Sequence, residues 1–320
     1  DSSSSILMAN SPRNSVPWIA YGCLALSMAL VGSYVGLSKL LVAAFPIFLL
    51  AWMRFGIAAV LMIPWVKGSA SDPPLTPSQR KLLFWESFLG NFLFSICMLA
   101  GVGATSALSA GVVMAMLPAT VAVLSWAILR EPLSRRHAAS IGLAVVGVVM
   151  LVWAREPNES NASNASLQPH SPAAPWWGYA LLVAAVFCEA SYVVIGKRLS
   201  AHLSAQRISG WINLWGLALV TPWGLWQAWT FDFPQVAWSS WGLLLCYAVA
   251  ASVVTVWLWM RGLRQVPAAQ AGVFTVFLPL SSAVIGVVAL NEPFGVLHAA
   301  AFITALAGLL MATWPASARS

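Results

Sequence analysis

Ten stretches of about 20 predominantly apolar residues alternate with polar links along the chain, roughly at 18–39, 45–66, 82–103, 107–129, 137–154, 176–196, 208–229, 238–260, 267–290 and 295–314. At about 1.5 Å per residue each is long enough to cross the hydrocarbon core, so the pattern predicts ten transmembrane helices and no strands. Links such as ATSA at 104–107 force neighbouring helices into antiparallel hairpins. The longest link, EPNESNASNASLQPHSPAAP at 156–175, is polar and rich in Ser, Asn and Pro, which predicts a flexible joint near the middle of the chain. The organisation expected is a disordered segment 1–16, a five-helix repeat 17–155, the non-cytoplasmic linker 156–175 and a second five-helix repeat 176–315. DSSSSIL before Met8 reads as an addition ahead of an initiating methionine and is set aside.

The halves repeat each other. A shift of 161 residues lays AGVVMAMLPATVAVLSWAILREPLSRRHAA (110–139) over AGVFTVFLPLSSAVIGVVALNEPFGVLHAA (271–300), and 16 of 41 positions agree over 110–150. Pro118 then meets Pro279, Glu131-Pro132 meets Glu292-Pro293, and His137 meets His298; a shift of 158 matches Ser33, Tyr34 and Lys39 with Ser191, Tyr192 and Lys197. Five spans per half is an odd number, so the second copy must enter the membrane from the opposite side. Inverted repeats are a common plan of secondary transporters, because one sequence held in two slightly different conformations can exchange them around a central site.

Composition agrees with this reading. The chain is 60% hydrophobic and 8% charged, against about 25% charged in soluble domains, and so little charge cannot cover a water-exposed surface. With both termini in the cytoplasm, 13 Lys and Arg residues fall on cytoplasmic segments and only Lys39 and Arg155 on the other side, while Arg54 lies inside a span. The net charge of +7 is thus accounted for by cytoplasmic loops, and no nucleic-acid partner is expected. Trp153, Trp176, Trp177, Trp226, Trp229, Trp238 and Trp241 fall near the outer helix ends as an interfacial belt. The four cysteines sit in apolar runs without CxxC spacing and read as small core residues, neither disulfides nor metal ligands. Asn158, Asn161 and Asn164 begin N-x-S sequons, a pattern that an Asn/Ser-rich link produces readily.

Candidate chemistry is sparse. Of nine acidic residues only Glu86 and Glu189 lie in spans; Glu189 is about 12 Å from the inner end at Lys197 and Glu86 about 7 Å from Lys81. An ionisable group inside a membrane is expensive, so Glu189 is the first candidate for binding substrate or carrying a coupling proton, against a structural pairing with Arg54. Glu86 is shallow enough to reach the interface. Arg54 reads as structural, with carboxylates at both adjoining depths. Asn91, Phe94, Ser95 and Met98 form one helical stripe that either packs helices or faces a cavity; Met114, Tyr192 and the repeat-related Trp259 and Ser252 join it as candidate substrate-binding residues. Pro118 and Pro279 lie mid-span as candidate hinges, and Gly32 and Gly36 form a GxxxG packing face. There is no GxxxxGK[ST], HExxH or GxSxG, so neither an enzyme, an ATP-driven pump nor any cofactor is expected.

Arg54-Phe55, the segment 107–152 and its second copy ending NEPFGVLHAAAFITALAGLLM resemble the drug/metabolite transporter superfamily, and more narrowly its EamA-type ten-helix members, including the YddG-like amino-acid exporters. The resemblance implies a central cavity among the first, third, fourth, sixth, eighth and ninth spans, with the fifth and tenth peripheral, and a multi-pass protein of the bacterial inner membrane. Arg54 has no copy: Asn213 or Leu214 stands there in the second repeat. Transporters of phosphorylated cargo need several buried cations, and a cation exporter needs a carboxylate, which Glu189 supplies. A cavity of Met, aromatic, Asn and Ser groups suits a neutral or zwitterionic metabolite, so export of amino acids ranks first and of cationic drugs second.

Overall fold

A computed structural model describes residues 18–67, 74–129, 135–153, 175–200, 202–263 and 272–313. All regular structure among the described residues is helical. In chain order α1 is Trp18–Ala44, α2 Ile47–Leu61, α3 Pro77–Ala104, α4 Ala107–Met114, α5 Leu117–Leu129, α6 Arg135–Trp153, α7 Trp176–Ser200, α8 Ala205–Thr230, α9 residues 238–263, α10 Phe277–Val284 and α11 Val296–Thr313. Among the described residues five helices are long and apolar enough to cross a membrane: Trp18–Ala44, Pro77–Ala104, Ala107–Leu124, Trp176–Gly196 and Trp238–Trp259. Ile47–Leu61, Ala138–Met150, Phe274–Ala289 and Val296–Met311 are shorter apolar helices. The linker 156–174, its sequons, Glu131-Pro132, and the side chains of Trp153 and His137 lie outside the described residues.

Local chemistry sets the boundaries. α3 begins at Pro77, earlier than expected, because Thr76 and Gln79 form a capping box: the Gln79 N–H donates to Thr76 Oγ1 (3.3 Å) and the Thr76 N–H to Gln79 Oε1 (2.9 Å), with proline at the first turn. The second span, expected unbroken, stops at Met62, since Pro64 cannot donate to Val60 and crowds its carbonyl. The fourth breaks at Ala115–Met116, just before Pro118; in the second repeat a 3₁₀ turn, Gly272–Val276, precedes Pro279. Both prolines therefore occupy the first turn of a new helical segment rather than the middle of a continuous helix. The N–H that would reach the carbonyl of Met114 or Thr275 is missing. π-helical turns interrupt α3 at Phe88–Leu93 and α9 at Ala250–Val254, which coincide after the 161-residue shift.

Packing follows the repeat. α1 lies against α10 and α9, while α7, its counterpart, lies against α5 and α3; α2 pairs with α8 and α6 with α11. Exchanging the halves maps this set of contacts onto itself. Where water's hydrophobic drive is absent, small residues let helices approach. Gly32 faces the carbonyl of Leu278 and Ser281, and Gly36 faces Ile285, so the GxxxG pair seats α1 on α10 and the π turn that follows it. Gly101 meets Leu182 and Gly178 meets Thr105 at the α3–α7 crossing, and Gly147 meets Ala301 and Ala305 between α6 and α11. Trp176, Trp177, Trp226, Trp229 and Trp238 are exposed as a belt requires, but Trp241 packs edge-on against Phe45, because the 233–235 turn folds Phe233 over it. Cys97 and Cys188 are buried, whereas Cys246 is exposed, as a small apolar side chain facing lipid can be; all four are free.

A methyl group at Gly32 has no room, whereas one at Gly22 meets nothing within 4 Å. Gly32→Ala should destabilise the protein by about 1–3 kcal/mol, and Gly22→Ala should be neutral, measured by unfolding in mixed detergent micelles. Equal midpoints for the two variants would refute the α1–α10 contact.

Candidate functional site

The π turns and helix breaks converge on one cavity of about 210 Å³ between the two halves. Its walls are pairs of repeat-related residues: Gly90 and Ala251, Asn91 and Ser252, Phe94 and Thr255, Met114 and Thr275, and Leu117 and Leu278, all 161 apart. Tyr34 and Tyr192, and Val31 and Glu189, lie 158 apart, and Arg54 and Asn213 lie 159 apart. Trp259 and Met28 complete it on the side of the α9 C-terminus and the α1 N-terminus. None of the described side chains of α6 or α11 reaches it; a peripheral place was expected for the fifth and tenth spans. The second and seventh spans do line it, through Arg54, Ile212 and Asn213, which the resemblance had not implied. The reason is local: the π turn in α3 and Gly216 in α8 let α2 and α8 crowd α3, with Gly216 against Asn91 and Phe55.

The candidate stripe on α3 divides. Asn91 and Phe94 line the cavity; Ser95 turns to Arg54, and Met98 is buried in the core against α4 and α7. Glu189, Tyr192, Met114, Ser252 and Trp259 are all in the lining. Gly90 positions Tyr192, since any side chain there would collide with its ring. Glu86 lies elsewhere. It does not reach the interface as expected but is 1% exposed between α3 and α7, one carboxylate oxygen near Gly196 and the other without a hydrogen-bond partner.

Arg54 also departs from expectation. Among the described residues no carboxylate lies within ion-pair distance of it; its guanidinium donates to Ser95 Oγ (3.1 Å), Asn91 Oδ1 (3.3 Å) and Tyr247 Oη (3.4 Å) and stacks on Phe55 at 4.7 Å. These neutral groups orient the charge without cancelling it. Its Nε, the Oδ1 of Asn213 and the Oγ of Ser252 are buried with no hydrogen-bond partner, three such atoms around one cavity. Buried polar atoms are rarely left unpaired, and a cluster of them beside a cavity marks a place for a polar ligand.

The ion pair that sequence reasoning did not assign lies beyond the cavity. Asn291 adopts a left-handed conformation, φ 52°, after the π turn at Ile285–Ala289, and swings Glu292 back against α4. The Glu292 carboxylate accepts from the Ala107 N–H (2.8 Å) and the Leu108 N–H (2.9 Å) and pairs with Lys39 Nζ (3.1 Å), which also donates to the Thr105 carbonyl (2.9 Å). An acid thus satisfies the open first turn of α4, with Ser106 capping the Ser109 N–H, and ties α1, α4 and the end of α10 together. The matched Glu131/Glu292 and Lys39/Lys197 positions were the signal in the sequence.

The model of the EamA-like transporter family matches residues 18–153 and again 176–314. The chain belongs to the EamA-like transporter family. As a member of the drug/metabolite transporter superfamily it is an integral membrane transporter. It is 35% identical over 296 residues to the uncharacterized transporter YetK of Bacillus subtilis strain 168, covering 91% of this chain and 86% of that one. The uncharacterized transporter YyaM of the same organism is 20% identical over 266 residues, 82% and 83% of the two chains. A solved crystal structure 19% identical in sequence superposes with a TM-score of 0.61 over 92% of this chain and 96% of its own, a likeness of fold.

Glu292→Gln removes the charge from this junction while keeping its shape. Charge-assisted hydrogen bonds contribute about 1.5–3 kcal/mol each, so separation of α4 from the end of α10 should become about 10- to 100-fold more populated. With Ser109→Cys, buried at 4% exposure beside Tyr179, maleimide labelling of the protein in membranes should accelerate accordingly. An unchanged labelling rate would mean the junction does not hold α4 against the end of α10.

Proposed function

We propose that this EamA-like transporter exports small organic metabolites, amino acids first among them, by alternating access between two inverted five-helix repeats. The observation that carries the reading is the cavity itself, walled by repeat-related pairs and lying where the two halves meet. Ten spans with both termini in the cytoplasm, repeats over 17–155 and 176–315, and an inner-membrane location fit the charge distribution. In that orientation the Lys39–Glu292 junction closes the outer end, and the cavity wall runs toward the inner end at Met28, Trp259 and Thr275. Substrate would enter from the cytoplasm, and the breaks before Pro118 and Pro279 would act as hinges when the closure passes from one end to the other.

The cargo reading rests on size and polarity. A volume of about 210 Å³ is below the roughly 300–1,000 Å³ of sites for drug-sized ligands. Glu189 favours a cationic drug, the second reading, but Arg54 in the same lining opposes it. Glu189 and the buried Glu86 are the carboxylates available to carry a coupling proton.

Purified protein in liposomes preloaded with an amino-acid mixture should show counterflow of at least one radiolabelled amino acid, and Glu189→Gln should reduce it severalfold. Absence of counterflow for every amino acid, with active movement of a lipophilic cation, would replace the first reading by the second.

A further inference from the structure

Repeat symmetry in the cavity is broken by charge in a specific way. Where the first half supplies Arg54, the second has the neutral Asn213; where the second half supplies Glu189, the first has the apolar Val31. Each half therefore contributes one titratable group, a base from the first and an acid from the second, and among the described residues the two do not meet at ion-pair distance. Arg54 is 7% exposed, held by a serine, an asparagine, a tyrosine and the faces of Phe55 and Tyr247, all neutral. No ion pair joins it to Glu189 or to any other carboxylate among the described residues. Glu189 accepts no hydrogen bond from the described protein groups. Had a structural ion pair been the purpose, the two would meet; an isolated buried charge of either sign is among the costliest features a membrane protein can keep.

We infer that Arg54 and Glu189 form a split charge pair that binds one small zwitterion, its carboxylate toward Arg54 and its ammonium toward Glu189, with Trp259, Met114 and Phe94 left to meet its apolar part. The inference rests on the transport reading above and deepens it by assigning the orientation of the substrate. Arg54 suits a carboxylate because its planar fork is already oriented by Ser95 and Asn91, leaving Nε without a partner. A ligand bearing only an ammonium would leave Arg54 unpaired, and one bearing only a carboxylate would leave Glu189 unpaired, so each is disfavoured by a buried, unanswered charge. Both halves of the molecule must contribute for the site to be complete, which ties occupancy to their relative position.

The test uses the full-length protein in lipid nanodiscs and two matched sets of probes: leucine, 3-methylbutylamine and 4-methylpentanoate, and phenylalanine, phenethylamine and 3-phenylpropanoate. Within each set the apolar part is constant and only the charges differ. The zwitterion should raise the thermal unfolding midpoint at concentrations about 10- to 100-fold below those needed by the amine or the acid. In Glu189→Gln, which retains the shape of the side chain, the advantage of the zwitterion over the acid should disappear, because only the cation remains. Arg54→Lys keeps the charge but loses the fork, and should weaken the zwitterion while the variant still unfolds cooperatively; Arg54→Gln should abolish its advantage over the amine. An amine as effective as its amino acid in the wild type, or a zwitterion-to-acid ratio unmoved by Glu189→Gln, would overturn the charge pair. Amino-acid counterflow accompanied by either of those results would leave the transport reading intact, whereas no response to any probe and no counterflow would overturn both.

Discussion

The first turn of α4 is buried, with Ala107 and Leu108 at 0% and 1% exposure, and the fold has to bring its backbone N–H groups an acceptor. Glu292, from the other half of the chain, supplies both oxygens to that turn, and Lys39 compensates the charge. Three helices from two repeats are thereby joined at one point. A carboxylate can reach that turn only because Asn291 takes a left-handed conformation after a π turn, and because Gly286 leaves space beside the Glu292 carboxylate. The same constraint bears on the break before Pro118, where Ala115 is buried: a break exposes backbone polar groups, and the protein interior has to answer them.

The π turns at Phe88–Leu93 and Ala250–Val254 and the breaks before Pro118 and Pro279 lie at equivalent places in the two halves and point at the cavity. A π turn rotates the residues that follow it relative to a regular helix, which is how Asn91 and Ser252 come to the lining while Met98 does not. Close crossings at Gly32, Gly36, Gly101 and Gly178 hold the two central helices, α1 and α7, against their neighbours, one partner at each contact being a glycine. Such smooth contacts are suited to sliding, and the polar ties at their ends determine which end is closed.

Membership of the EamA-like family identifies a transporter, while its relatives in Bacillus subtilis carry no cargo in their names. The cargo therefore has to be argued from this chain's own side chains. What distinguishes the cavity is an arginine and a glutamate contributed by different repeats, not joined at ion-pair distance, within a mostly apolar lining.

Much of this was written in the linear sequence. Apolar runs of the right length, the near-absence of charge, and 16 identities in 41 positions after a 161-residue shift disclosed helices, membrane and duplication, because each depends on composition or on spacing along one chain. Glu189, Tyr192, Asn91, Phe94, Met114, Ser252 and Trp259 were legible for the same reason: polar, aromatic and Met residues in apolar spans, related by the repeat, gather where the halves meet. The departures came from contacts between distant segments. Arg54 could not be separated from a structural ion pair, Ser95 and Met98 could not be separated from their cavity-lining neighbours on the same stripe, and Glu86 was given a route to the interface that packing against α7 closes. Periodicity tells which residues share a face of a helix; which neighbour covers that face, and whether a charge there finds its counter-charge, depends on how helices far apart in sequence cross, and that only the tertiary structure decided.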